Sequence, residues 1–138
     1  GTPWPFGIFT VTAHGLPDGA SIDNVTFNFR GKRNTPVATG WGLYLRLGAT
    51  YHTGTTRTNV SEFQAFTESY GTHPITGVAW TRDDLTGLEM GLWGTSSSGL
   101  LTHGNSLSWI EAVVTYTAGP AATAASREPM TTQPLMRI

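Results

Sequence analysis

Few residues of this chain are of types that do chemistry, and their spacing decides what they can do. His14, His52, His73 and His103 are scattered through turns and strands, with no i, i+4 pair and no H-E-x-x-H run. They therefore lack the paired helical ligands of such a zinc site, and neither a metal nor a cofactor is expected. The serines of "TSSSG" are not set in a G-x-S-x-G elbow, where a strained turn exposes a nucleophile; a serine-rich stretch between strands reads as a solvated turn. Asp83 and Asp84 admit two readings: a catalytic carboxylate pair, or the first turn of a helix capped by Thr81, where acidic groups favour the positive helix end. The helix start is the expectation. Arg30, Lys32 and Arg33 in "FRGKRNTPVATG" lack a phosphate-cradling glycine pattern. They read as a polar rim, with an acidic partner surface as the alternative. A non-enzymatic protein is expected.

The aromatic residues admit two readings, core packing for most of them and binding for those that face outward. Trp4, Trp41, Trp80, Trp93 and Trp109 are many for 138 residues. Strand alternation puts Trp41 and Trp80 inside, whereas Trp93 and Trp109 lie opposite the apparent core residues of their strands. Trp93 and Trp109 are therefore candidate interface residues. A flat ring stacks on a pyranose or anchors a protein partner equally well, so the rings alone do not choose between glycan and protein.

Composition narrows the class. A chain of 138 residues fits one domain with a real core. Charged residues are 12% of it, about half the roughly 25% usual for soluble proteins. The formal net charge is −1 without a long basic run, so the electrostatic footprint of a nucleic-acid binder is missing. No stretch approaches the roughly 18 apolar residues of a membrane span, and the first residues lack the basic flank and apolar run of a signal peptide. A soluble protein without nucleic-acid or membrane partners is expected. The absence of cysteine removes disulfides and thiolate chemistry. Gly1 in place of Met is consistent with initiator removal or with a longer precursor.

The elements that position these residues read as strands. In "NVTFNFRGK" Val25, Phe27 and Phe29 alternate with Thr26, Asn28 and Arg30; in "GWGLYLRLGATY" Trp41, Leu43, Leu45 and Leu47 alternate with Gly42, Tyr44 and Arg46. A turn at Gly48 joins two strands near Ala49 and Thr50. "SLSWIEAVVTYT" sets Ile110, Ala112, Val114 and Tyr116 against Trp109, Glu111, Val113 and Thr115. A further strand is expected over Ile8 to Ala13, followed by a Gly and Pro turn around Leu16 to Gly19. Between strands, "HPITGVAWTRDDLTGLEMGLWG" turns at Pro74 and Gly77, caps a short helix with Thr81, faces Leu85 and Leu88 to the core, and returns to strand alternation. The class is all-β, a sandwich or barrel with one short corner helix near residues 81–89.

The ordered segments "ASIDNVTFNFRGKR", "LYLRLGATYHTGTTRT", "THPITGVAWTRDDLTGLEMGLWG" and "LSWIEAVVTYT" resemble the jelly-roll β-sandwich domains of tailed-bacteriophage virion proteins. The resemblance is carried by Ile22 and Val25, by Gly48 through Tyr51 with Ala49 in a threonine's place, by Pro74 through Thr81, by Leu88 through Gly91, and by Val114 through Tyr116. It spans about two-thirds of the chain; the strand that usually precedes the one at Ile8 has only "GTPWPFG" to form it. It implies an antiparallel jelly-roll-like sandwich and a structural role in a phage particle, with carbohydrate binding in tail-associated relatives. It brings no catalytic residues.

After residue 117 the chain is rich in Ala, Thr and Pro and lacks strand alternation. Residues 1–117 are expected to form the sandwich, and 118–138 an extended arm. Pro129 and Pro134 stiffen the arm, and Met130, Leu135, Met136 and Ile138 are its candidate anchors on a neighbouring subunit. The expected protein is a decoration or cement protein on the outer surface of the virion, binding the phage major capsid protein or other virion proteins and copies of itself, with a trimer suiting a capsid junction. The alternative is a tail-associated receptor-binding or carbohydrate-binding module.

Overall fold

Alternating apolar residues need a second sheet to cover them, and the chain supplies two. The computed structural model describes residues 4–11, 15–33, 38–58, 62–96, 105–120 and 135–137. Eight strands are described: β1 (Trp4–Thr10), β2 (Ser21–Arg33), β3 (Ala38–Leu47), β4 (Thr50–Thr53), β5 (Gln64–Tyr70), β6 (Leu88–Ser96), β7 (Asn105–Thr117) and β8 (Leu135–Arg137). One sheet has the order β1-β6-β3-β4 and the other β5-β2-β7-β8, with every pairing antiparallel. The all-β class expected from the alternation forms, and of the sandwich and the barrel it is the two-sheet arrangement.

The core lies between the two inner faces. Val25, Phe27, Phe29, Ala112 and Val114 from one sheet meet Trp41, Leu43, Leu45 and Leu92 from the other, all fully buried. Trp41 packs edge-on against Phe29 and Phe66, a geometry that aligns ring edges with ring faces. Trp41 and Trp80 are inside, as alternation requires.

The helix, α1 (Arg82–Gly87), caps one end of the sandwich. Thr81 Oγ1 accepts from the Asp84 amide at 3.1 Å, and the Asp84 carboxylate accepts from the Thr81 amide at 2.9 Å, which closes the capping box. The helix is shorter than the span 81–89 expected: it ends at Gly87, and Leu85 from the helix and Leu88 from the start of β6 are both fully buried in the core cluster. The Arg82 guanidinium donates to the carbonyls of Leu16 and Pro17, tying the helix to the turn before β2. Replacing Thr81 with Ala is expected to lower stability by about 0.5–2 kcal/mol in denaturant melts, because first-turn amides lose their acceptor.

Three strands also differ from the sequence expectation. β1 runs over Trp4–Thr10, earlier than the segment expected from Ile8. β5 carries no clean apolar alternation, because Glu68 occupies an inward position between Phe66 and Tyr70. At the end of the chain, where no strand was expected, Leu135–Arg137 pair with β7 in the register Thr115↔Leu135, Val114↔Met136 and Val113↔Arg137. Backbone pairing across an open sheet edge, rather than side-chain alternation, defines this element.

Candidate functional site

The outer face of the β5-β2-β7 sheet is built in rows. Cross-strand register sets Ala65, Arg30 and Trp109 side by side, then Thr67, Asn28 and Glu111, then Ser69, Thr26 and Val113. Residues directly opposite on an antiparallel pair share a face with Cβ atoms about 5 Å apart. The lower rows are stitched by short polar contacts. Thr67 Oγ1 donates to Asn28 Oδ1 at 2.8 Å, Asn28 Nδ2 donates to Glu111 Oε1 at 3.1 Å, and the Thr26 and Ser69 hydroxyls lie 2.8 Å apart.

Trp109 stands at the end of this face, 41% exposed. Between Arg30 and Gly31 the register with β7 slips by one, leaving Ser108 with no opposite residue on β2. A bulge of this kind re-aims the neighbouring side chain and sharpens the local twist. Beside Trp109, the Arg30 guanidinium and the Lys32 ammonium each lie 5.0 Å from the Phe63 ring centroid, a cation–π arrangement that holds two long cationic side chains in place. Trp109 is therefore exposed, as expected, and its neighbours are cations.

The other candidates are placed differently. Trp93 lies on the outer side of its sheet, paired in register with Gly42, as alternation requires. Yet it is 7% exposed, which corrects its expected role as a surface anchor. The glycine opposite explains the burial: a Cβ at position 42 would come within 2.9 Å of Trp93 Nε1 and crowd the Thr55 carbonyl, so the ring and the segment after β4 both close over the space a side chain would need. Leu135 and Met136 pair through their backbones with this chain's own β7. Met130 and Ile138 lie outside the described residues, as do His14, His103 and residues 97–99 of the serine stretch.

Two inward constellations collect the titratable groups that the linear sequence leaves apart. At the edge of the sandwich the β4 segment runs on beside β3, through the Gly54 amide on the Leu43 carbonyl and reciprocal bonds between Trp41 and Arg57. This brings Arg57 to Glu68 across the gap between sheets. The Arg57–Glu68 ion pair spans 3.2 Å. Glu68 Oε1 also accepts from the Thr55 amide at 2.9 Å and from the Tyr70 hydroxyl at 3.0 Å, and the Arg57 guanidinium stacks 4.0 Å from the Phe66 centroid. A Cβ on Gly54 would collide with the Glu68 carboxylate. Burial and the adjoining Glu68 hold the Tyr70 hydroxyl protonated, well above the usual phenol range. Both carboxylate oxygens have donors, so the cluster acts as a clamp between sheets.

At the corner, His73 is fully buried against the Trp80 ring, 4.3 Å between centroids. Its Nδ1 accepts from the Ile75 amide at 3.0 Å, which assigns the proton of the neutral ring to Nε2. Nε2 has no hydrogen-bond partner among the described residues. The loop closes on itself through His73 N to the Val78 carbonyl and Gly77 N to the His73 carbonyl, with Gly77 at φ 74°, a conformation that favours glycine. Burial lowers the affinity of His73 for a proton, against a smaller opposing pull from Asp84. His52, edge-on to Tyr70, is lowered by burial as well. A histidine whose folded pKa lies below its unfolded value of about 6.5 contributes stability that is complete above that pH and is lost as pH falls through the folded pKa. Melting temperature is therefore expected to hold from pH 8 to about 7 and to fall below about 6.5, with the fall reduced in His73→Gln. Equal acid sensitivity in that variant would remove His73 as the cause.

No group of three or more His, Asp or Glu side chains that could hold a metal ion occurs among the described residues. Nor is any described helix long and apolar enough to cross a membrane. Comparison of the chain with family models, curated proteins and solved structures finds no match.

Proposed function

We propose that this chain is a non-enzymatic structural protein of a virion, a decoration or cement protein with a jelly-roll-like sandwich that binds the major capsid protein on the outer surface of a tailed-phage particle. The order of its sequence segments supports that setting through the resemblance described above. The observation that carries attachment is Trp109, 41% exposed on a sheet face braced by hydrogen bonds. A large ring held on a rigid element loses little entropy on binding, and Trp and Arg dominate the energetics of protein interfaces. The mechanism is geometric: a stiff sandwich bridging coat subunits adds contacts across their junctions, and repeated contacts around a closed shell sum. As a cement it acts as a homo-oligomer, a trimer at a junction of matching symmetry.

Co-sedimentation of the purified chain with particles stripped of it tests this reading. Saturable attachment is expected, weakened at least about tenfold, or about 1.4 kcal/mol, by Trp109→Ala with the melting temperature unchanged. Failure of the wild-type chain to attach overturns the reading. One observation favours a second reading, a tail-associated carbohydrate-binding module: Trp109 adjoins a ladder of amide, hydroxyl and carboxylate groups, the arrangement of a stacking platform beside sugar-hydroxyl partners. A glycan array separates the two.

A further inference from the structure

The Trp109 corner is cationic on a chain whose net charge is −1, and that asymmetry says what it fits. Arg30 lies opposite Trp109 on the neighbouring strand, and Lys32 follows two positions along the same strand. The described ion pairs engage Arg46, Arg57 and Arg82 and leave out Arg30 and Lys32. What holds these two is the Phe63 face, which fixes their charges without neutralising them. The nearest carboxylate in register, Glu111, belongs to the next row and bonds to Asn28. Glu62, next in sequence to Phe63, is exposed.

Resting on the attachment reading above, we propose that the Trp109 corner docks an acidic protein surface: an apolar recess for the indole, flanked by carboxylates that meet Arg30 and Lys32. Guanidinium and ammonium groups on an interface rim steer encounter and fix orientation, while the desolvated ring supplies the lasting contact. The two contributions respond differently to salt. Exposed charges are screened over about 10 Å at 0.1 M and about 3 Å at 1 M, and the apolar contact is not weakened by this screening.

The experiment uses the full chain in two assays. On stripped particles, wild-type attachment is expected to weaken about tenfold between ~50 mM and ~500 mM NaCl. R30Q/K32Q should bind weakly at low salt and lose most of that slope; Trp109→Ala should bind weakly at every salt concentration and keep it. R30K, which retains the charge, should keep the slope and so separate charge from any local packing defect. Unchanged salt dependence in R30Q/K32Q overturns the inference while leaving particle attachment intact. The second assay needs no particle: polyglutamate and polygalacturonate are immobilised and the chain is passed over each. Salt-sensitive retention on polyglutamate, lost in R30Q/K32Q, supports an acidic protein surface even if the particle reading fails. Retention on polygalacturonate alone assigns the corner to an acidic glycan and overturns the inference, as does retention on neither.

Discussion

Replacing Arg57 with Met is expected to destabilise the sandwich by about 3–5 kcal/mol, the range for removing one partner of a buried ion pair. Glu68 is the reason. Its side chain is 8% exposed and faces the interior between Phe66 and Tyr70, and Arg57 supplies its compensating charge. After the substitution the Thr55 amide and Tyr70 hydroxyl remain as donors, but a buried charge is left without its counter-charge. The double variant R57M/E68L should recover most of the loss at neutral pH, since two apolar groups need no compensation. Urea melts of the single and double variants measure both. A loss below about 1 kcal/mol in the single variant would mean that water reaches Glu68 and the clamp is loose.

Trp80→Ala is expected to have an effect of similar size, about 3–5 kcal/mol in the same melts. The indole is 4% exposed and packs against His73 and Phe27, while its Nε1 donates to the Tyr70 carbonyl at 2.9 Å. Truncation opens a cavity under the corner and frees a carbonyl at the end of β5. Trp80→Phe should retain part of the packing and lose the hydrogen bond, and so fall between wild type and Ala. Wild-type stability in Trp80→Ala would overturn the corner's place in the core.

The corner was the most legible part of the sequence because its signals are local. Thr81 and Asp84 are spaced for a capping box and form it, and Leu85 and Leu88 both reach the core, Leu88 from the first position of β6 rather than from the helix. The long strands were legible for the same reason: Val25, Phe27 and Phe29, like Trp41, Leu43 and Leu45, alternate without interruption. What escaped depends on partners distant in sequence. β5 was hidden by Glu68, an inward carboxylate that makes sense only once Arg57 is known to reach it across the sheets. β8 has three residues, too few for an alternation to show, and is defined by its pairing with β7. For Trp93, alternation gave the correct side of the sheet, but burial depended on Gly42 and Thr55 opposite. The candidate site is half visible in the sequence: Trp109 and the basic residues of "FRGKR" stand out, but these lie on β2 rather than in a turn, and their adjacency requires the register that sets Arg30 opposite Trp109.

The central claim, that this sandwich is an external component of a virion held through its Trp109 corner, is tested most directly by imaging purified particles that carry the chain by electron cryomicroscopy. The account predicts sandwich-sized density on the outside of the capsid, in threefold clusters, with the end of the β5-β2-β7 face bearing Trp109, Arg30 and Lys32 turned toward acidic coat residues. Density confined to the tail, with that face turned to solvent, would contradict it.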